Sequence, residues 1–61
     1  MPRGGDEIYL EFVVQGAVTK VTAIDPKTGI EASIFGPASA SRADLSMAAK
    51  RKLEYVLKKQ N

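Results

Sequence analysis

The feature of this sequence that most limits its possible folds is an alternation of apolar and polar residues, interrupted by short turns. In residues 7–15, EIYLEFVVQ, a large apolar side chain recurs at every second position. A period of two places alternate side chains on opposite faces of a strand, so the segment is predicted to be a β-strand with one buried face. Gly16 and Ala17 then predict a two-residue hairpin turn, and residues 18–25, VTKVTAID, form the second strand.

The register of this hairpin follows from the side chains that it brings together. Pairing Gln15 with Val18 places the alternating apolar residues of the first strand on the same face as Val21 and Ala23. A shift by one residue would scatter them over both faces of the sheet. We therefore predict this pairing.

A second turn is predicted at residues 25–29, DPKTG, where Pro suits a type I turn and Gly can adopt positive φ. The third strand spans residues 30–35, and pairing Ile24 with Glu31 directs its apolar residues to the same face again. Pro37 is expected to end this strand near residue 36, because proline cannot donate to a ladder of hydrogen bonds. The two turns together predict a three-stranded antiparallel meander with the second strand in the centre.

A helix is predicted over residues 42–59. Ser41 stands three residues before Asp44, as in a capping box that has Asp in place of Glu or Gln. Apolar residues then recur at helical spacing, and the helix should lay them on the apolar face of the sheet; they are Leu45, Ala48, Ala49, Leu53, Val56 and Leu57. The expected fold is α+β, a single β-β-β-α domain over residues 7–61 preceded by a disordered tail at residues 1–6.

The chain is short for a stable fold. A domain of 61 residues buries only about 60% of the surface that its unfolded chain exposes. The sequence has no Cys and no His, so disulfides and the usual zinc sites cannot supplement its core. We therefore expect a homodimer, and the six-residue loop before the helix also permits two copies to exchange their helices by domain swapping.

The face of the sheet that points away from the helix is predicted to carry an interface. Sizeable apolar residues stand there among polar ones, and such a patch on a small protein is typical of a surface that contacts a second copy or another protein; the candidates are Tyr9, Val13, Val18, Ile24 and Phe35. The alternative is that they are ordinary exposed strand residues.

Basic residues concentrate in the second half of the helix and favour a second hypothesis. The candidates for binding an anion or a nucleic acid are Lys50, Arg51, Lys52, Lys58 and Lys59. Cations near a helix C-terminus also complement the helix dipole and keep the surface soluble, which is the simpler interpretation. The order of strands and basic helix resembles the later part of a double-stranded-RNA-binding domain, although here the helix begins Arg42-Ala43-Asp44 rather than with a cluster of lysines.

Enzymatic activity is not expected. Without His or Cys the usual general bases and thiol nucleophiles are missing, and no serine has an evident activating partner. We predict no catalytic, cofactor-binding or metal-binding residues. The first residues, MPRGGDE, contain no apolar run of the kind found in a signal peptide or membrane anchor, so a cytoplasmic protein without membrane contact is expected.

Two segments, EFVVQGAVTKVTAIDPKTGIEASIFGPA and RKLEYVL, resemble a family of short uncharacterised alphaproteobacterial proteins and together cover most of the chain. The resemblance implies a small cytoplasmic protein with strands first and a helix last, and no assigned activity. Some sequences of this kind are labelled serine hydroxymethyltransferase, but a chain of 61 residues has no room for a fold that binds pyridoxal phosphate.

Overall fold

The computed structural model describes residues 7–59 and confirms the predicted fold class. Three antiparallel strands form one sheet in the order β1-β2-β3, and a helix follows them. The strands are β1 (Tyr9–Gln15), β2 (Val18–Ile24) and β3 (Glu31–Pro37), and the helix is α1 (Arg42–Lys59). The tail predicted at residues 1–6 lies outside the described residues.

The first hairpin has the predicted register and turn. Gln15 pairs with Val18, Phe12 with Val21, and so on along both strands. Gly16 has φ of +60°, and Ala17 does not share this positive φ. One positive φ at the first loop position is the signature of a type II′ turn, whose twist matches that of the two strands.

The second turn is built around the buried carboxylate of Asp25. Oδ1 accepts a hydrogen bond from the backbone N–H of Lys27 at 3.0 Å, and Oδ2 accepts one from the hydroxyl of Thr28 at 3.1 Å. Gly29, at φ +77°, donates its N–H to the carbonyl of Asp25 at 2.7 Å. The turn thereby fixes the predicted pairing of Ile24 with Glu31.

The third strand spans Glu31–Pro37 rather than the predicted residues 30–35. Pro37 does not end the strand before residue 37 but belongs to it and pairs with Val18. Proline is tolerated there because β3 is an edge strand and the missing N–H would point away from β2. The helix begins as predicted: the Ser41 hydroxyl accepts a hydrogen bond from the backbone N–H of Asp44 at 3.0 Å.

The core lies between α1 and one face of the sheet. Its fully buried members come from the central strand, β3 and one side of the helix; they are Val21, Ala23, Ala32, Leu45, Ala49 and Leu53. The predicted apolar stripe of the helix is wrong at Ala48, which is exposed. At about 100° per residue, that position lies beyond the side of the helix that faces the sheet.

The helix crosses the sheet very close to β3. A Cβ atom built on Gly36 would lie 2.5 Å from Cδ2 of Leu45, so any larger residue at this position would force the leucine side chain to move. The helix packs on β2 and β3 and leaves the inner side of β1 less covered. Val14, on that side, is therefore 60% exposed. Within residues 7–59, no helix has both the length and the apolar character that crossing a membrane requires.

Candidate functional site

The face of the sheet opposite α1, called the open face below, carries the residues predicted as an interface. Among residues 7–59, no helix or further strand packs over it. Phe35 is 69% exposed, Tyr9, Val13 and Val18 are also exposed, and Ile24 is half-buried. The structure therefore places all five predicted residues on one side of the sheet.

The strand register arranges these side chains in rows across the sheet. At one end Val13, Lys20 and Phe35 form a row, and Val18 and Pro37 lie in the next row. This gives an apolar surface around a single cation, called the Phe35 patch below. The aliphatic stem of a lysine can lie along apolar neighbours while its ammonium stays in water.

The other two predicted residues form a separate group. Tyr9 pairs with Ile24 at the opposite end of the sheet, and a polar row of Glu11, Thr22 and Ser33 lies between them and the Phe35 patch. The hydroxyls of Thr22 and Ser33 are hydrogen-bonded to each other at 2.8 Å. The open face thus has two apolar ends and a polar middle.

The five predicted cations of the helix are all exposed but do not form one cluster. At 100° per residue, Arg51 and Lys58 lie on one side of α1, while Lys52 and Lys59 lie on another. Lys52 is bound to the sheet, because its Nζ donates a hydrogen bond to the backbone carbonyl of Ser33 at 2.8 Å. The Nζ of Lys59 lies 5.4 Å from the ring centroid of Tyr55 on its own helix.

Two features of the surface were not predicted. The guanidinium of Arg42 lies over the ring of Phe12, with Cζ 4.2 Å from the centroid, and so covers part of β1 that the rest of the helix does not reach. Met47 and Tyr55 are exposed on the helix. Helical spacing alone could have identified the latter two, because both lie outside the stripe that contains Leu53.

Within residues 7–59, no group of three or more His, Cys, Asp or Glu residues is placed to hold a metal ion. What the fold presents is a set of surfaces: the open face, the two sheet edges and the basic helix. These features define a small α+β domain of the β-β-β-α type.

Comparison with known protein families identifies a family whose function is unknown. A family model called domain of unknown function DUF6898 matches residues 5–60, and the chain belongs to this family. No curated protein and no solved structure is significantly similar to the chain.

Proposed function

We propose that this domain is a non-catalytic, homodimeric binding module whose open face contacts another protein. The observation that carries the proposal is the exposure of Tyr9, Val13, Val18 and Phe35 on a sheet face that nothing covers within residues 7–59. Aromatic and branched apolar residues at the surface of a small domain are typical of protein–protein contacts. The polar row between the two apolar ends would orient a partner.

The size of the core supports self-association. The buried hydrophobic side chains are few and several of them are alanines, so each copy gains little from burial. Joining two copies would cover apolar surface that one copy leaves in water. It would also present two open faces from one particle.

The oligomeric state is tested first by sedimentation equilibrium over a wide range of concentrations. We expect a mass of twice the 6.6 kDa chain, falling toward one chain only on strong dilution. A single-chain mass at high concentration would contradict the homodimer.

The binding role of the open face is tested with Phe35→Ser, using Met47→Ser on the helix as the matched control. Both side chains are more than half exposed, so neither substitution should change the stability by more than about 0.5 kcal/mol. A partner that binds through the open face should be retained from a native-host lysate by wild type and Met47→Ser but not by Phe35→Ser. Equal retention by all three proteins would refute the role of this face.

Binding of a nucleic acid is the second candidate, favoured by the exposure of the helix cations. Arg51 and Lys58 lie on one side of α1, about two turns apart, and would contact backbone phosphates. Such binding should weaken steeply with salt because counterions are released. Fluorescence anisotropy with RNA and DNA oligonucleotides at 20 and 150 mM salt (about 20 and 8 Å Debye lengths) measures this, and absence of binding at low salt would remove the candidate.

The compartment, the bacterial origin and the exchange of helices also belong to the proposal. We place the protein in the cytoplasm of an alphaproteobacterium, on the basis of the resemblance and the lack of Cys. The exchange of helices between two copies stays a prediction, although the loop before the helix spans only residues 38–41 rather than the predicted six residues, because β3 continues to Pro37.

A further inference from the structure

The two edges of the sheet differ in how many of their backbone groups are free to pair. In antiparallel strands, alternate residues direct N–H and C=O toward the neighbouring strand and the others direct them away. Gln15 and Val18 flank a two-residue turn and so form a hydrogen-bonded pair. Counting back along β1, Leu10, Phe12 and Val14 direct their backbone groups away from β2.

The same alternation identifies the outward groups of β3. The N–H of Ala38 donates to the carbonyl of Ala17 at 2.8 Å, which makes Val18 and Pro37 a non-hydrogen-bonded pair. The residues of β3 that face outward from this edge are therefore Glu31, Ser33, Phe35 and Pro37.

Two of these four positions, Ser33 in the middle of the edge and Pro37 at its end, are already occupied or blocked. The carbonyl of Ser33 accepts the hydrogen bond from Lys52, and Pro37 has no N–H and uses its carbonyl to accept from Ala40 at 3.0 Å. Lysine and proline are two devices that prevent edge strands from pairing with other chains. A strand approaching β3 would have to displace the helix side chain first.

The edge of β1 has no such protection. Within residues 7–59, none of the turn, loop and side-chain hydrogen bonds reaches the outward groups of Leu10, Phe12 and Val14. We infer that a second copy of this chain pairs with β1 in antiparallel orientation, so that two three-stranded sheets continue as one sheet of six strands. This inference rests on the homodimer proposed above and names the surface that forms it.

The register of the pairing follows from symmetry and charge. A two-fold axis at Phe12 places outward residues opposite outward residues and uses all seven residues of β1. Glu11 then lies opposite Val13 of the second copy, in the same row as the second copy's Lys20 about 10 Å away, which a lysine side chain can span. An axis at Glu11 would set two carboxylates directly opposite each other, which is unfavourable. An axis at Val13 would pair fewer residues.

This pairing leaves the open faces of both copies free and joins them. Most of the Phe35 patch lies on β2 and β3, away from the new contact. Its β1 member, Val13, borders the contact opposite Glu11 of the second copy. The dimer would therefore present two patches on one continuous surface. The β3 edges, blocked at Ser33 and Pro37, would form the two ends of the six-stranded sheet and hinder further growth.

Proline substitutions at the two edges test which strand forms the contact. Val14→Pro removes an N–H that points away from β2, so it costs no hydrogen bond within the chain but blocks pairing at β1. Glu31→Pro does the same at the first residue of β3 and serves as the matched control. We expect Val14→Pro to sediment as one chain and Glu31→Pro as two, with unchanged far-UV circular dichroism. The reverse result, or a dimer in both variants, would overturn the inference.

Disulfide cross-linking tests the register without weakening the fold. The chain has no Cys, so any cross-link comes from the introduced residues. In the inferred register, a mixture of Glu11→Cys and Val13→Cys proteins should cross-link under mild oxidation, because Cα atoms about 4.5 Å apart in a non-hydrogen-bonded pair are within the range of a disulfide. Each variant alone should cross-link poorly, because identical positions would be about 7–8 Å apart on the diagonal.

The outcomes separate this inference from the proposed function. Cross-linking of Glu11→Cys alone or of Val13→Cys alone would refute the Phe12 axis. A dimer that cross-links in none of the samples would refute pairing at β1 while the proposed homodimer stands. A single-chain mass at all concentrations would remove both.

Discussion

The close approach of the helix to β3 makes a specific prediction for Gly36. Replacing it with alanine would place a Cβ atom 2.5 Å from Cδ2 of Leu45, whereas non-bonded carbon atoms prefer about 3.5–4.0 Å. Gly36 has an ordinary negative φ, so the cost comes from this contact and not from the backbone. The leucine side chain must therefore retreat by about 1 Å or more.

The expected magnitude follows from how Leu45 is held. Its side chain is 7% exposed and packed in the core, so it cannot retreat without leaving its rotamer or moving the helix. Overpacking of this kind costs about 1–3 kcal/mol, and replacing glycine recovers about 0.4–1 kcal/mol from the unfolded chain. We expect Gly36→Ala to lower the free energy of unfolding by about 1–2 kcal/mol, which lowers Tm by about 4–16 °C in a domain of this size.

A double-mutant cycle shows whether the contact is the cause. Leu45→Val removes the Cδ atoms at a cost of about 1 kcal/mol for the lost methylene and should leave the domain folded. Adding Gly36→Ala to Leu45→Val should then be nearly neutral. Leu53→Val is the matched control, because Leu53 is also buried in α1 but does not touch Gly36, and Gly36→Ala should remain destabilising in that background.

The assay is urea and thermal unfolding followed by far-UV circular dichroism, at one protein concentration because a dimer's stability depends on concentration. Equal destabilisation by Gly36→Ala in wild type, Leu45→Val and Leu53→Val would show that the cost has another source. A neutral Gly36→Ala in wild type would refute the close approach itself.

Three further predictions concern the turn, the helix cap and the protected edge. Asp25→Ala should cost about 1–3 kcal/mol in urea unfolding, because two hydrogen bonds of the second turn are lost, and Asp25→Asn should recover part of it since its oxygen can still accept one of them; equal loss in both would contradict this. Ser41→Ala should cost about 1 kcal/mol through the lost cap, while Ser39→Ala in the same loop changes little. Lys52→Met should keep the fold but produce assemblies larger than a dimer in sedimentation, because it releases the Ser33 carbonyl; no growth would refute the protective role.

Strand order and register were predictable because independent signals agreed. The alternation in β1 and the glycine at position 16 demand the same pairing of Gln15 with Val18. The Asp25 turn fixes the next pairing through its own hydrogen bonds, independently of the first. The predicted open face followed directly, since a period of two decides which side chains share a face.

The lateral position of the helix was not predicted. Spacing along α1 shows which side is apolar but not where that side rests on a sheet of three strands. The physical cause lies in the small residues of the inner face: Ala23, Ala32 and Gly36 on β2 and β3 admit the helix closely, whereas Leu10 and Phe12 on β1 stand higher. Comparing side-chain volumes between strands would have indicated this placement.

Among the predicted site residues, Lys52 is the one whose observed contact differs most from its prediction. Charge alone put Lys52 in a basic cluster, yet its Nζ binds the carbonyl of Ser33, which is 19 residues away in sequence. Which edge carbonyl a lysine can reach depends on how the helix lies across β3, so it follows only after the small residues of the inner face have set that position. The same placement leaves β1 less covered than β2 and β3, and the outward backbone groups of β1 stay free. One steric cause therefore blocks the β3 edge at Ser33 and leaves the β1 edge open, and this asymmetry supports the proposed closed dimer over an open-ended sheet.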